Sequence, residues 1–153
     1  MTILRVHDTE GVALSCDLRD FLDLLAPRSI KATWIVSPVD AGCQWFDATG
    51  SGGELLNAMA QSGEPVSGAT LMDAARDTVQ LVWGTFTARS PAGHGRQWVV
   101  IRAIDGHFYE VMTGDPKVIS RIQSRFDKVS VHDETWKPAP RDPNLVPFYG
   151  FEP

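Results

Sequence analysis

Cys16 stands immediately before a run, Asp17 to Ala26, that reads as a helix, and a thiol at a helix start is favoured as the nucleophilic thiolate. Nucleophilic catalysis also needs a base within reach and a group that orients that base. No histidine is spaced to supply one, and the chain has no GxSxG elbow for a serine alternative. Cys16 therefore reads first as a small buried thiol. The second cysteine, Cys43, is remote, and neither lies in a CxxC pattern, so zinc-site and disulfide-framework chemistry are both set aside. Both thiols are expected reduced.

The four histidines, His7, His94, His107 and His132, form no HxH or HExxH pattern. One juxtaposition is conditional on the fold. His7-Asp8 and His132-Asp133-Glu134 each follow a terminal strand-like run. Were those strands parallel neighbours, two imidazoles and two acids would meet at one sheet end, a set suited to zinc or acid–base work. Antiparallel pairing would disperse them, and no metal is expected. His94 lies in Arg89-Ser90-Pro91-Ala92-Gly93-His94-Gly95, which reads as the exposed tip of a hairpin.

Glycine invites a phosphate-loop reading at Gly50-Ser51-Gly52-Gly53, just before a helical run, because helix starts bind anions. The segment is neither GxGxxG nor GKS/GKT, so no nucleotide cofactor is implied. It reads instead as a loop feeding a helix, with Ser51 and Glu54 at capping-box spacing. Trp83 and Trp98 fall on consecutive strand-like runs, where they would line a pocket or pack a core. Asp17, Asp20 and Asp23 form the polar side of the first helix.

These residues must be positioned by elements that the periodicity marks out. Leu18, Phe21, Leu22 and Leu25 make one helical stripe, stopped at Pro27. Thr2 to Val6 and Ile30 to Val36 read as strands, with a short one over Trp45 to Ala48. A helix from Ser51 to Gly63 would bury Leu55, Leu56 and Met59, and a second, capped by Ser67, would run to Arg76. Thr78 to Ala88, Arg96 to Ile104 and His107 to Thr113 form a three-strand meander. Asp105-Gly106 is expected to be a two-residue turn between the second and third of these strands, because a type I′ turn needs positive φ at both central residues. Val99-Val100-Ile101 is apolar on both faces and belongs at the sheet centre. Asp115-Pro116 opens a helix burying Val118, Ile119, Ile122 and Phe126, and Val129 to Val131 closes the fold. The expected class is α+β, a mostly antiparallel sheet with about four helices packed on it.

A single domain over residues 1–136 accommodates all of this, followed by a Pro-rich extension over 137–153. Five of the ten prolines lie in that extension, at Pro138, Pro140, Pro143, Pro147 and Pro153. Leu145, Val146, Phe148, Tyr149 and Phe151 make it too apolar for a solvated tail, so residues 144–153 are expected to lie extended against a surface, the domain's own or a partner's, with Leu145, Phe148, Tyr149 and Phe151 as the expected partner-binding residues.

The net charge of −5, from 14 basic and 19 acidic residues, shows no basic run for phosphates. Nucleic acid and membrane are not expected partners. The first residues lack a signal-peptide pattern, no apolar run is long enough to span a bilayer, and a soluble cytoplasmic protein is expected. In type, a small acidic α+β chain rich in aromatics and without a catalytic motif resembles the bacterial immunity proteins that block a cognate toxin. That likeness implies a protein-binding module that occludes a partner or self-associates. A small enzyme or ligand-binding domain with a pocket beneath Trp83 and Trp98 is the alternative.

Overall fold

The computed structural model describes residues 1–10, 13–39, 45–90 and 96–132. Ten strands and five helices follow in the order β1 (Thr2–Val6), β2 (Thr9–Glu10), β3 (Ala13–Leu14), α1 (Leu18–Leu24), α2 (Arg28–Lys31), β4 (Thr33–Ser37), β5 (Asp47–Thr49), α3 (Ser51–Ser62), β6 (Val66–Ser67), α4 (Gly68–Arg76), β7 (Gln80–Arg89), β8 (Gln97–Ile104), β9 (Phe108–Thr113), α5 (Pro116–Arg125) and β10 (Val129–His132). Eight strands form one sheet in the order β10-β1-β9-β8-β7-β4-β6, with β5 pairing the other end of β7, and every described pairing is antiparallel. No described helix is long and apolar enough to cross a membrane.

The meander β7-β8-β9 forms as its sequence predicts. Asp105 and Gly106 take φ of 51° and 65°, and the His107 N–H donates to the Ile104 carbonyl at 2.9 Å. The ladder resumes at Ile104↔Phe108, so the connection is one residue longer than a two-residue hairpin. Val99, Ile101 and Ala103 point to the helical side and Val100 to the other, which is why this strand had to be central.

All five helices cover one face. Phe21 of α1 meets Tyr109 of β9 at 4.9 Å and Phe126, just past α5, at 5.0 Å between ring centroids. Trp34, Phe86, Leu56 and Leu71, all 0% exposed, continue that core under α3 and α4. Burying an apolar side chain of this size contributes about 1.5–3 kcal/mol, so this single layer carries most of the folding drive.

Local signals were misplaced at four points. Ile30 lies in the one-turn helix α2 rather than in a strand; β4 begins only at Thr33. The short strand starts at Asp47, not Trp45. Ser51 does not cap α3: Gly50 takes that place at φ 90°, and the Gly52 N–H donates to the Asp77 carbonyl at 2.9 Å. The buried face of α3 is accordingly Gly52, Gly53 and Leu56, leaving Leu55 53% exposed. A capping box does exist, at α1, where the Asp17 N–H donates to Asp20 Oδ2 at 2.7 Å. Asp17 and Asp20 are thus half-buried capping groups, and only Asp23 of that row is exposed. The caps at Ser67 and Asp115 stand as expected, accepting from the Thr70 and Lys117 amides.

Candidate functional site

The histidine pairs do not converge. β1 and β10 run antiparallel, with Ile3 opposite His132 and the His7 N–H on the Lys128 carbonyl. Four ladder steps at roughly 3.4 Å separate the backbone positions of His7 and His132 by about 14 Å along the strands. Asp8 is spent elsewhere, its carboxylate accepting from the Asp127 and Lys128 amides at 2.9 and 2.6 Å. Among the described residues no cluster of three metal-ligating side chains occurs. His94, Cys43, Asp133, Glu134 and the expected partner-binding residues Leu145, Phe148, Tyr149 and Phe151 lie outside the described residues.

Cys16 is 3% exposed, and burial first, then the Asp20, Asp8 and Asp17 carboxylates, push its thiol up to about 12. Burial and three carboxylates thus oppose the thiolate that an adjacent helix start would favour, and Cys16 packs as a core thiol. The thiolate is favoured only on unfolding, where the ordinary value is 9.0. The contribution to stability is therefore complete below pH 9 and is lost as pH rises towards 12. At pH 8 alkylation of Cys16, read by peptide mass spectrometry, should be slower in the folded chain than in urea by about a thousandfold, the ratio of thiolate fractions. Equal rates would place Cys16 at a reactive surface.

The glycines that suggested an anion loop are packing surfaces. A Cβ on Gly52 would lie 2.0 Å from the Ala74 carbonyl oxygen and 2.5 Å from the Asp77 carbonyl carbon. The end of α4 fills the space a phosphate would need.

Trp83 and Trp98 are also not a pair. Gly84 faces Ala103 and Ala88 faces Val99, which sets the two indoles at opposite ends of the β7-β8 ladder. Trp98 is core: its Nε1 donates to Asp115 Oδ2 at 3.0 Å, and the Arg28 guanidinium stacks on its ring at 4.3 Å. Asp115 thereby holds β8, α2 and the start of α5 together.

The partner of Trp83 is Trp45, at 5.0 Å between centroids and 50° between planes. Two backbone facts place it. The Val39 N–H donates to the Trp45 carbonyl at 3.1 Å, and Asp47 pairs with Trp83 across the β5-β7 ladder. Alternation then turns Phe46 inward, edge-on to buried Phe86 at 6.1 Å, and turns Trp45 out. A register shift between Asp47 and Ala48 re-aims the strand at this point. The result is an open cleft of about 350 Å³ lined by Trp45, Phe46, Asp47 and Trp83. Trp45 is 54% exposed although its backbone is fixed. No sequence signal marked this pair, because it depends on β5 joining β7 across more than thirty residues of chain.

The sheet face without helices carries two registered rows. Arg5, Glu110, Arg102 and Thr85 face one another across β1, β9, β8 and β7; Ile3, Met112, Val100 and Thr87 form the adjacent row. Glu110 stands between two guanidinium groups, 3.4 Å from Arg5 Nε and 3.9 Å from Arg102 Nη1. Arg5 Nε is sealed from solvent but misaligned for a hydrogen bond, so charge alone holds that contact. Arg102 Nη2 donates to the Val39 carbonyl at 2.8 Å, tying this row to the segment that precedes the aromatic cleft.

No family model matches the chain, and no curated protein or solved structure shows significant similarity to it.

Proposed function

We propose that this chain is a protein-binding module that occludes its partner, and that the partner docks on the Trp45–Trp83 edge of the sheet. The observation that supports the reading is the exposure of Trp45, a large aromatic held in water by a backbone hydrogen bond while its ring leans on Trp83. Leaving an indole in solvent gains the fold little. At an interface the same indole is a typical anchor, since tryptophan is enriched among residues that cost 2 kcal/mol or more on truncation. Asp47 lies exposed beside the pair on a chain of net charge −5, which favours a partner presenting lysine or arginine. A cation set on the indole face would gain both the ring quadrupole and the carboxylate.

Cross-linking the tagged chain in the cells that express it, and identifying the attached protein, supplies the partner for titration. Trp45→Ala should then weaken binding by at least about tenfold with an unchanged melting temperature. Equal affinity would sink the proposal. The second reading, a small-ligand site, rests on the same cleft, whose volume lies at the low end for such sites. It predicts a small cationic aromatic compound that quenches tryptophan fluorescence saturably, and loses that effect in Trp45→Ala.

A further inference from the structure

The helix-free face of the sheet is covered; of the described segments, the one at Val39 reaches it at Arg102, in the row beside Ile3, Met112 and Val100. Ile3, Val100 and Met112 stand on that face as a cluster separate from the helical core, at 6%, 4% and 0% exposure. Side chains on an open sheet are crowded at their flanks by neighbouring strands but keep their tips in water. A methionine at 0% exposure is therefore sealed from above as well.

The segments beyond the described residues narrow the choice of cover. Residues 11–12, 40–44 and 91–95 are short connections with no Leu, Ile, Met, Phe, Tyr or Trp among them. The chain beyond His132 has Trp136, Leu145, Phe148, Tyr149 and Phe151. It also starts in the right place. His132 is registered opposite Ile3, at the end of the row that runs on through Met112 to Val100. Val100 is three strands away, about 14 Å at a spacing near 4.8 Å. The thirteen residues from His132 to Leu145 reach roughly 40 Å when extended, so the distance is easily crossed. Prolines at 138, 140 and 143 restrict the unfolded chain along that path and lower the entropy lost on docking.

We propose that the helix-free sheet face is the docking surface for the chain's own C-terminal segment, which crosses it from His132 and lays its aromatic side chains over Ile3, Met112 and Val100. Leu145, Phe148, Tyr149 and Phe151 then serve the chain's own second apolar layer rather than a partner. The aromatic edge at Trp45 is left for partner binding, so the two proposals stand or fall separately.

Oxidation by dilute hydrogen peroxide, followed methionine by methionine in the full-length chain, tests this. Met112 reports the helix-free face, and Met72, 3% exposed on the buried face of α4, reports the helical core. In a full-length variant with Trp136, Leu145, Phe148, Tyr149 and Phe151 all changed to serine, Met112 should oxidise at least about tenfold faster while Met72 keeps its rate. An unchanged Met112 rate overturns the proposal. Should both methionines accelerate through loss of the whole fold, a second variant decides. Phe148→p-benzoylphenylalanine in the otherwise native chain should photo-cross-link to residues 97–113 or 2–6 of the same molecule at any protein concentration. Cross-links to the helical layer, to a second copy only, or none at all would contradict it.

Discussion

Replacing Gly52 by alanine should destabilise the protein by about 2 kcal/mol or more, although alanine is the better helix former. Intrinsic propensity favours Ala over Gly by at most about 1 kcal/mol inside a helix. Against that gain, the new methyl would sit 2.0 Å from the Ala74 carbonyl oxygen and 2.6 Å from the Thr78 amide nitrogen, both backbone atoms. Overpacking of this kind costs about 1–3 kcal/mol and rises further where backbone has to move. Here α3 would have to lift from the end of α4, breaking the Gly52 amide's bond to the Asp77 carbonyl. The melting temperature should fall by about 4–8 °C for a chain of this size. Exposed Ala58 on the same helix, changed to glycine, isolates the propensity component and should cost no more than about 1 kcal/mol. A Gly52→Ala protein as stable as the parent would show that α3 and α4 are not in the described contact.

A larger loss is expected for Trp34→Ala. Trp34 is among the largest fully buried side chains, at 0% exposure, and its Nε1 donates to the Ser29 carbonyl at 2.8 Å. Ser29 is itself buried, with its hydroxyl donating to the Leu22 carbonyl. One indole therefore ties β4 to α2 and, through Ser29, to α1. Truncation leaves a cavity costing about 3–5 kcal/mol and strands a buried carbonyl, for about 1–3 kcal/mol more. Domains of this kind have only about 5–15 kcal/mol in total, so urea should unfold the variant at a small fraction of the parent's midpoint, or the chain should fail to fold. Trp34→Phe keeps most of the ring and should recover the greater part of the cavity component. An unfolding free energy within about 1 kcal/mol of the parent's for Trp34→Ala would contradict the packing described.

Much of this architecture is legible in the chain because its signals are local. The stripe Leu18-Phe21-Leu22-Leu25, the Asp105-Gly106 turn, the Asp115-Pro116 helix start and the two-sided apolar run at Val99 each act within about one turn or one strand. Errors arose where a local pattern had two physical uses. Ser51-x-x-Glu54 has capping-box spacing, but Gly52 and Gly53 were needed for close packing, and that moved the cap to Gly50. Asp17-x-x-Asp20 does the same work with a shorter carboxylate, a spacing that in sequence looks the same as a solvated face.

The candidate site was the least legible part. Whether His7 and His132 meet depends on the sense of the β1-β10 pairing, and whether Trp83 meets Trp98 or Trp45 depends on ladder register. Both are set by the whole sheet, and neither leaves a mark in the residues beside them.

Hydrogen exchange of the chain, free and bound to its partner, tests the binding edge most directly. Amides of residues 45–49 and 80–84 border the Trp45–Trp83 cleft and should exchange at least about tenfold more slowly in the complex. Those of α5, on the helical layer near the opposite sheet edge, should be unchanged. Protection confined to α5 or to the α1 region, with residues 45–49 and 80–84 exchanging as in the free chain, would place the partner elsewhere and contradict the proposed function.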